Sequence, residues 1–126
     1  MTVLTQPPTM GDVLKYEVNP NFTRESVTLL AGTNYAVGAV LGRITASGKH
    51  KLATSGGSDG AQTAAAVLLY SVDATDADAT GIVIARGPAI VAKAALVFDA
   101  TVDDAAKAAT KHGQLAAVGI IPRDTS

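Results

Sequence analysis

The sequence contains no cysteine and no tryptophan, and aromatic residues make up only 4 % of its 126 positions. Without thiols there can be no disulfide framework and no thiolate metal site. Without large rings, the hydrophobic 48 % is carried mostly by small aliphatic side chains. Burial stabilises by about 25 cal/mol per Å² of apolar surface, so such a core gains little per residue. Association between copies is a common remedy in a small domain, and an oligomer is expected.

Charge of either sign is also missing as a dominant feature. Ten Lys and Arg stand against eleven Asp and Glu, a formal net charge of −1, with no basic cluster, so no nucleic-acid partner is expected. The longest apolar stretch, residues 64–70, falls well short of the roughly 18 to 20 residues of a membrane-spanning helix, so no membrane partner is expected. The opening MTVLTQPPTM has neither a positive n-region nor an apolar h-region, which argues against a secretory signal and for a soluble chain. The length suits one domain.

What is present divides at about residue 22. Residues 1–22 read as an extended N-terminal arm, in which Pro7-Pro8, Gly11 and Asn19-Pro20-Asn21 are expected to break any helix. Within it Leu14, Tyr16 and Val18 alternate with Lys15, Glu17 and Asn19, a strand-like pattern. One reading is a mobile tail; the other is a strand that finds its sheet on another chain. Residues 23–126 read as a β-rich domain. Strands are expected over residues 26–30, 35–45, 64–72, 82–85, 89–98 and 115–121, the last stopped by Pro122. Gly38 and Gly42 suggest bends or close backbone approach. Residues 73–81 read as an acidic surface loop. One helix is expected, capped by Thr101 and closed by Lys111-His112-Gly113.

Candidate chemistry is sparse. Gly56-Gly57-Ser58-Asp59-Gly60 matches G-x-S-x-G, with Asp99 or Asp103 and then His112 following in the order of an esterase triad. The elbow needs a long parallel sheet and a second loop donating an oxyanion N–H, and a flexible glycine loop explains the same residues. Asp73, Asp76 and Asp78 could suggest calcium, but the twelfth position counted from Asp76 is Gly87, where an EF-hand requires Glu. His50 and His112 lack the spacing of a zinc site, and His112 is explained as a cation-tolerant helix end. His50 follows Lys49 where a Walker loop requires Ser or Thr. Residues 38–45 suggest the strand entry of biotinyl or lipoyl carriers, but neither Lys49 nor Lys93 sits on the tight hairpin such carriers present. No catalytic residue, metal site or cofactor is expected. A small β-barrel enzyme using Ser58, or a carrier or ligand-binding domain, stands as the alternative.

The order of the stretches carries more information than any one of them. Ser26-Val27-Thr28-Leu29 with Gly32, Gly38-Ala39-Val40-Leu41-Gly42-Arg43-Ile44, and Asp59-Gly60-Ala61 leading to Ala65-Ala66-Val67-Leu68 come first. Asp73-Ala74 with Asp76, residues 83–88 and residues 115–121 follow. Over residues 22–122 this pattern resembles the lambda-type bacteriophage head decoration proteins. The resemblance implies a mainly β (α+β) fold: a compact β-tulip or barrel-like domain with one short C-terminal helix and an extended N-terminal arm. It also implies a homotrimer at threefold sites of the expanded head, partnered by the phage major capsid protein. Such a protein is made in the host cytoplasm, resides on the outer capsid surface of the virion and stabilises the shell against genome pressure. In that family the arm adds a strand to the capsid protein, which assigns capsid binding to Val13, Leu14, Tyr16 and Val18. Lys15 and Glu17 are then expected to tolerate replacement.

Overall fold

The computed structural model describes residues 10–124. Its centre is a closed barrel of five strands: β2 (Arg24–Leu29), β4 (Val40–Arg43), β5 (His50–Leu52), β6 (Ala64–Leu68) and β8 (Ala79–Ile84). Around the barrel the order is β2-β5-β4-β6-β8, antiparallel everywhere except between β2 and β5. That one parallel contact consists of Leu29 opposite His50, followed by Leu30 N–H donating to His50 O at 2.8 Å. A small antiparallel pair, β3 (Thr33–Tyr35) with β7 (Val72–Ala74), covers part of the barrel core. A third sheet has β9 (Ala89–Ala92) at its centre, β1 (Leu14–Glu17) antiparallel on one edge and β10 (Ile120–Arg123) parallel on the other. The helix expected near the C-terminus is α3 (Ala105–Ala117). The mainly β, barrel-like class with one short C-terminal helix is therefore the observed one.

Two apolar clusters explain why the strands lack clean alternation. Leu29, Leu41, Ala66, Leu68 and Val83 pack into one; Val40, Val67, Ile84, Val91, Leu115 and Ile120 pack into the other. Neighbouring residues of β4, β6 and β8 thus point to different cores, and both faces of these strands are buried. A strand buried on both faces reads as an unbroken apolar run, which is why residues 64–72 fit helix and strand equally by period. Small side chains let these layers come close. A Cβ at Gly42 would meet the backbone of Ala61, and one at Gly38, whose φ is +88°, would meet the carbonyl of Ala95.

The arm is more structured than its breakers suggest, and its strand, expected to find a sheet on another chain, pairs instead with β9 of the same chain, whose edge is free to take it. Pro7 and Pro8 lie outside the described residues, but Met10–Val13 forms a one-turn helix, α1, and Pro20–Thr23 another, α2. Asn19 does not block α2; its Oδ1 caps it by accepting from Asn21 N at 2.9 Å. Pro20 occupies the first turn, where a helix has no use for its missing N–H.

Other boundaries also differ from expectation. Asp104, not Thr101, caps α3, accepting from Lys107 N at 2.8 Å. Thr101 is instead held by Asp99, to which its hydroxyl donates at 2.6 Å. The helix continues through Gly113 because Lys111 and Leu115, one turn apart, both lie on its buried face. It ends where Gly119, at φ +85°, donates to Ala116 O. The strand expected over residues 115–121 therefore shrinks to β10, and Pro122 lies inside it, as an edge strand allows. The acidic segment 73–81 is partly sheet, contributing to β7 and β8.

Two glycine substitutions separate these effects. Gly42→Ala is expected to destabilise by about 1–3 kcal/mol through overpacking against Ala61. Gly113→Ala, in α3 with open space around it, should stabilise by about 0.5–1 kcal/mol. Urea unfolding midpoints at unchanged m-value report both.

Candidate binding surface

The strand β1 does not run along the protein with one uniform face. Its register on β9 pairs Leu14 with Val91 but Tyr16 with Ile90, so Lys15 is an extra residue in a bulge. A shift of one residue sends side chains to the opposite face of a sheet. Val13 is fully buried in the cluster that holds Val91, Leu115 and Ile120, and Leu14 packs partly against that cluster. Beyond the bulge Tyr16 is 52 % exposed and Val18 51 % exposed. The expected single row Leu14, Tyr16, Val18 is thus split, with its first member inward and its last two outward.

Register places the outward residues beside two more apolar side chains. Ile90 of β9 lies opposite both Tyr16 of β1 and Ile121 of β10. Tyr16, Ile90 and Ile121 therefore form a transverse row on the outer side of the sheet, while Ala89, Val91 and Ile120 fill the inner side. Ile121 is exposed, and Ile90 is half-buried. Single-sequence alternation does not reveal such a row, because it depends on which strands become neighbours.

A polar clamp holds β1 in place. Glu17 accepts from Arg24 Nη2 at 2.6 Å and from Arg24 Nε at 3.1 Å, and Thr23 Oγ1 donates to its other oxygen at 2.6 Å. Val18 N–H then donates to Pro88 O at 3.0 Å, extending the attachment past the end of the strand. Burial alone would raise the Glu17 carboxyl, but the hydrogen bonds from Arg24 and Thr23 and the Arg24 charge outweigh it. The net effect holds Glu17 below the usual carboxylate range. Sequence reading placed Glu17 on the tolerant side of the arm and missed this role; its partner lies seven residues away, across a one-turn helix. Next to the clamp, Phe22 is exposed with the Arg86 guanidinium over its ring at 5.6 Å.

The residues singled out for chemistry are not brought together. Ser58 is exposed and has no hydrogen bond among the described residues, and His112 Nε2 is buried without a partner. Asp99 is engaged by Thr101 and Asp103 by Lys107, so neither carboxylate orients an imidazole. His112 lies within α3 and not at its end, its ring 5.7 Å from Phe98. Burial, then the charge of Lys93, pushes its pKa down, against a smaller opposing effect of Asp124. Asp73 is tied to Thr75, and Asp78 to Ala31 N and Lys49, so these carboxylates do not converge. Among the described residues no group of three metal-ligating side chains is assembled. Lys49, a possible carrier lysine by sequence, is ion-paired with Asp78 at 2.6 Å. Beside these dispersed groups stands an apolar row on the outer sheet face, Tyr16, Ile90 and Ile121, flanked by a clamped arm.

A family model described as Bacteriophage lambda head decoration protein D matches residues 3–120. No curated protein matches the chain.

The clamp has a defined pH dependence. Because the folded carboxyl of Glu17 is held below its ordinary pKa, its contribution is fully present above the ordinary value and is lost as pH falls through the folded value. Hydrogen-exchange protection at Val18 should therefore weaken under acid. In Glu17→Gln it should already be lower at pH 7 by about tenfold or more, in line with losing a charge-assisted hydrogen bond. Equal protection in the two proteins at pH 7 contradicts the clamp.

Proposed function

The chain belongs to the family of bacteriophage lambda head decoration protein D, and from that premise we propose that it sits as a homotrimer on threefold sites of the expanded head. There it braces the major capsid protein against the pressure of the packaged genome. Its role is structural and not enzymatic. The observation that carries the reading is the family match over nearly the whole chain, together with an outer sheet face built for contact and not for chemistry.

Physical reasons favour each part of the proposal. A core of small side chains gives a 126-residue chain limited burial, and trimerisation adds more. Tyr16 and Val18, with Ile121 beside them, offer apolar anchors on a rigid sheet, and rigid aromatic or aliphatic anchors concentrate binding energy. Val13 and Leu14 act from the other side of the same segment: by packing inward they fix where Tyr16 and Val18 point. The capsid-binding arm thus consists of two seated residues and two presented ones. Three such segments on one trimer engage the shell together, so modest affinity per segment becomes slow dissociation.

Analytical ultracentrifugation should give three times the 12.7 kDa protomer mass. Replacing Tyr16 and Val18 together by Asp, at exposed positions, should leave that trimer folded. The same change should lower its occupancy on expanded capsids by about tenfold or more, since each 1.4 kcal/mol is tenfold in affinity. Val13→Ala should act differently, lowering stability by about 1–3 kcal/mol through lost burial. A monomer in solution, or undiminished capsid occupancy by the doubly substituted protein, contradicts the proposal.

A further inference from the structure

The barrel closes at Leu29 and His50, and on one side of that pair β2 and β5 diverge. From Arg24 to Thr28, β2 pairs only with β8. The gap is a cavity of about 470 Å³. Ala65, Ala66 and Ala85 contribute small side chains to its lining, while Ser26, Thr28, Arg43 and His50 contribute hydrogen-bonding groups. Glu25 and Arg86 also line it, but they satisfy each other in an ion pair.

Two of the polar groups have no side-chain partner among the described residues. The guanidinium of Arg43, an exposed residue at the end of β4, makes no hydrogen bond or ion pair there. His50 is only 8 % exposed, and its Nδ1 is buried with no hydrogen-bond partner. A buried polar atom without a partner is costly, and native structures seldom leave one. With His50 neutral, two arginines against one glutamate leave the lining one positive charge in excess. Burial, and then the Arg43 charge, hold the imidazole below its usual pKa against a smaller pull from Glu25, so the neutral form is the relevant one. A neutral imidazole still has one N–H to donate, and a guanidinium offers a planar fork of donors. The lining therefore offers a ligand one imidazole N–H and one positive charge.

We propose that this barrel mouth binds a small oxyanion, a phosphate or carboxylate group, between the Arg43 guanidinium and the His50 imidazole. Arg43 supplies the charge and the bidentate geometry. The hydroxyls of Ser26 and Thr28 are placed on the facing strand to complete the shell, and the alanines leave room for the group and its water.

The test uses the full chain, labelled with ¹⁵N, titrated with inorganic phosphate and separately with acetate, ionic strength being held constant with chloride. The expected result is saturable shifts at Ser26, Thr28, Arg43 and His50, with acetate competing against phosphate. Arg43→Gln should weaken phosphate binding by about tenfold or more, as expected for loss of a bidentate charged partner. Arg123→Gln, outside the cavity, should bind as the parent does. Shifts that grow without saturation, or an unchanged isotherm in Arg43→Gln, mean adventitious ion pairing and overturn the proposal. Given saturable binding, capsid occupancy of Arg43→Gln distinguishes the sources of the oxyanion. Reduced occupancy assigns it to a carboxylate on the shell, and parental occupancy to a free ion.

Discussion

Strand β9 uses both of its edges, and the placement of the N-terminal and C-terminal strands outside the barrel depends on that double pairing. On one edge it holds β1, on the other β10, and its own inward residues Ala89 and Val91 join the core that also receives Val13, Leu115 and Ile120. Loss of β1 would expose one edge of β9 and remove Val13 from the core. Loss of β10 would expose the other edge of β9 and remove Ile120 from the core. From Met10 onward the N-terminal segment therefore packs with the domain through β9 and the core that holds Val13.

Small side chains set the second constraint. With no tryptophan and few aromatics, close backbone approach takes the place of bulky packing, as where Gly42 lies against Ala61. The same constraint leaves the barrel mouth lined by alanines where larger residues would have filled it. The closing contact between Leu29 and His50 joins the two themes, since it completes the barrel on one side and borders the cavity on the other.

Much of the fold was legible from local pattern. Val27 and Leu29, the run from Ala64, the segment from Ile82 and the alanine-rich helix each announce their element, and the glycines announce close approaches. Ends of elements were less legible. Thr101 looks like a helix cap, but Asp99 engages its hydroxyl; Gly113 looks like a terminator, but Leu115 must still reach the core. On the proposed binding surface, alternation singles out Tyr16 and Val18, both exposed. It does not single out the bulge at Lys15 or the neighbours Ile90 and Ile121, because register between strands distant in sequence is a tertiary property. Glu17 was misjudged for a related reason: a carboxylate on the polar side of a strand looks solvated until its arginine is placed.

The central claim is that the outer face of the β1-β9-β10 sheet meets the capsid while the inner face anchors it. Density for the decorated, expanded head at side-chain resolution tests this most directly. Tyr16 and Val18 are expected to be buried against the major capsid protein, with β1 still paired to β9 and the Glu17 clamp intact. Trimers that stand on the shell through other surfaces, with Tyr16 and Val18 in solvent, would contradict it.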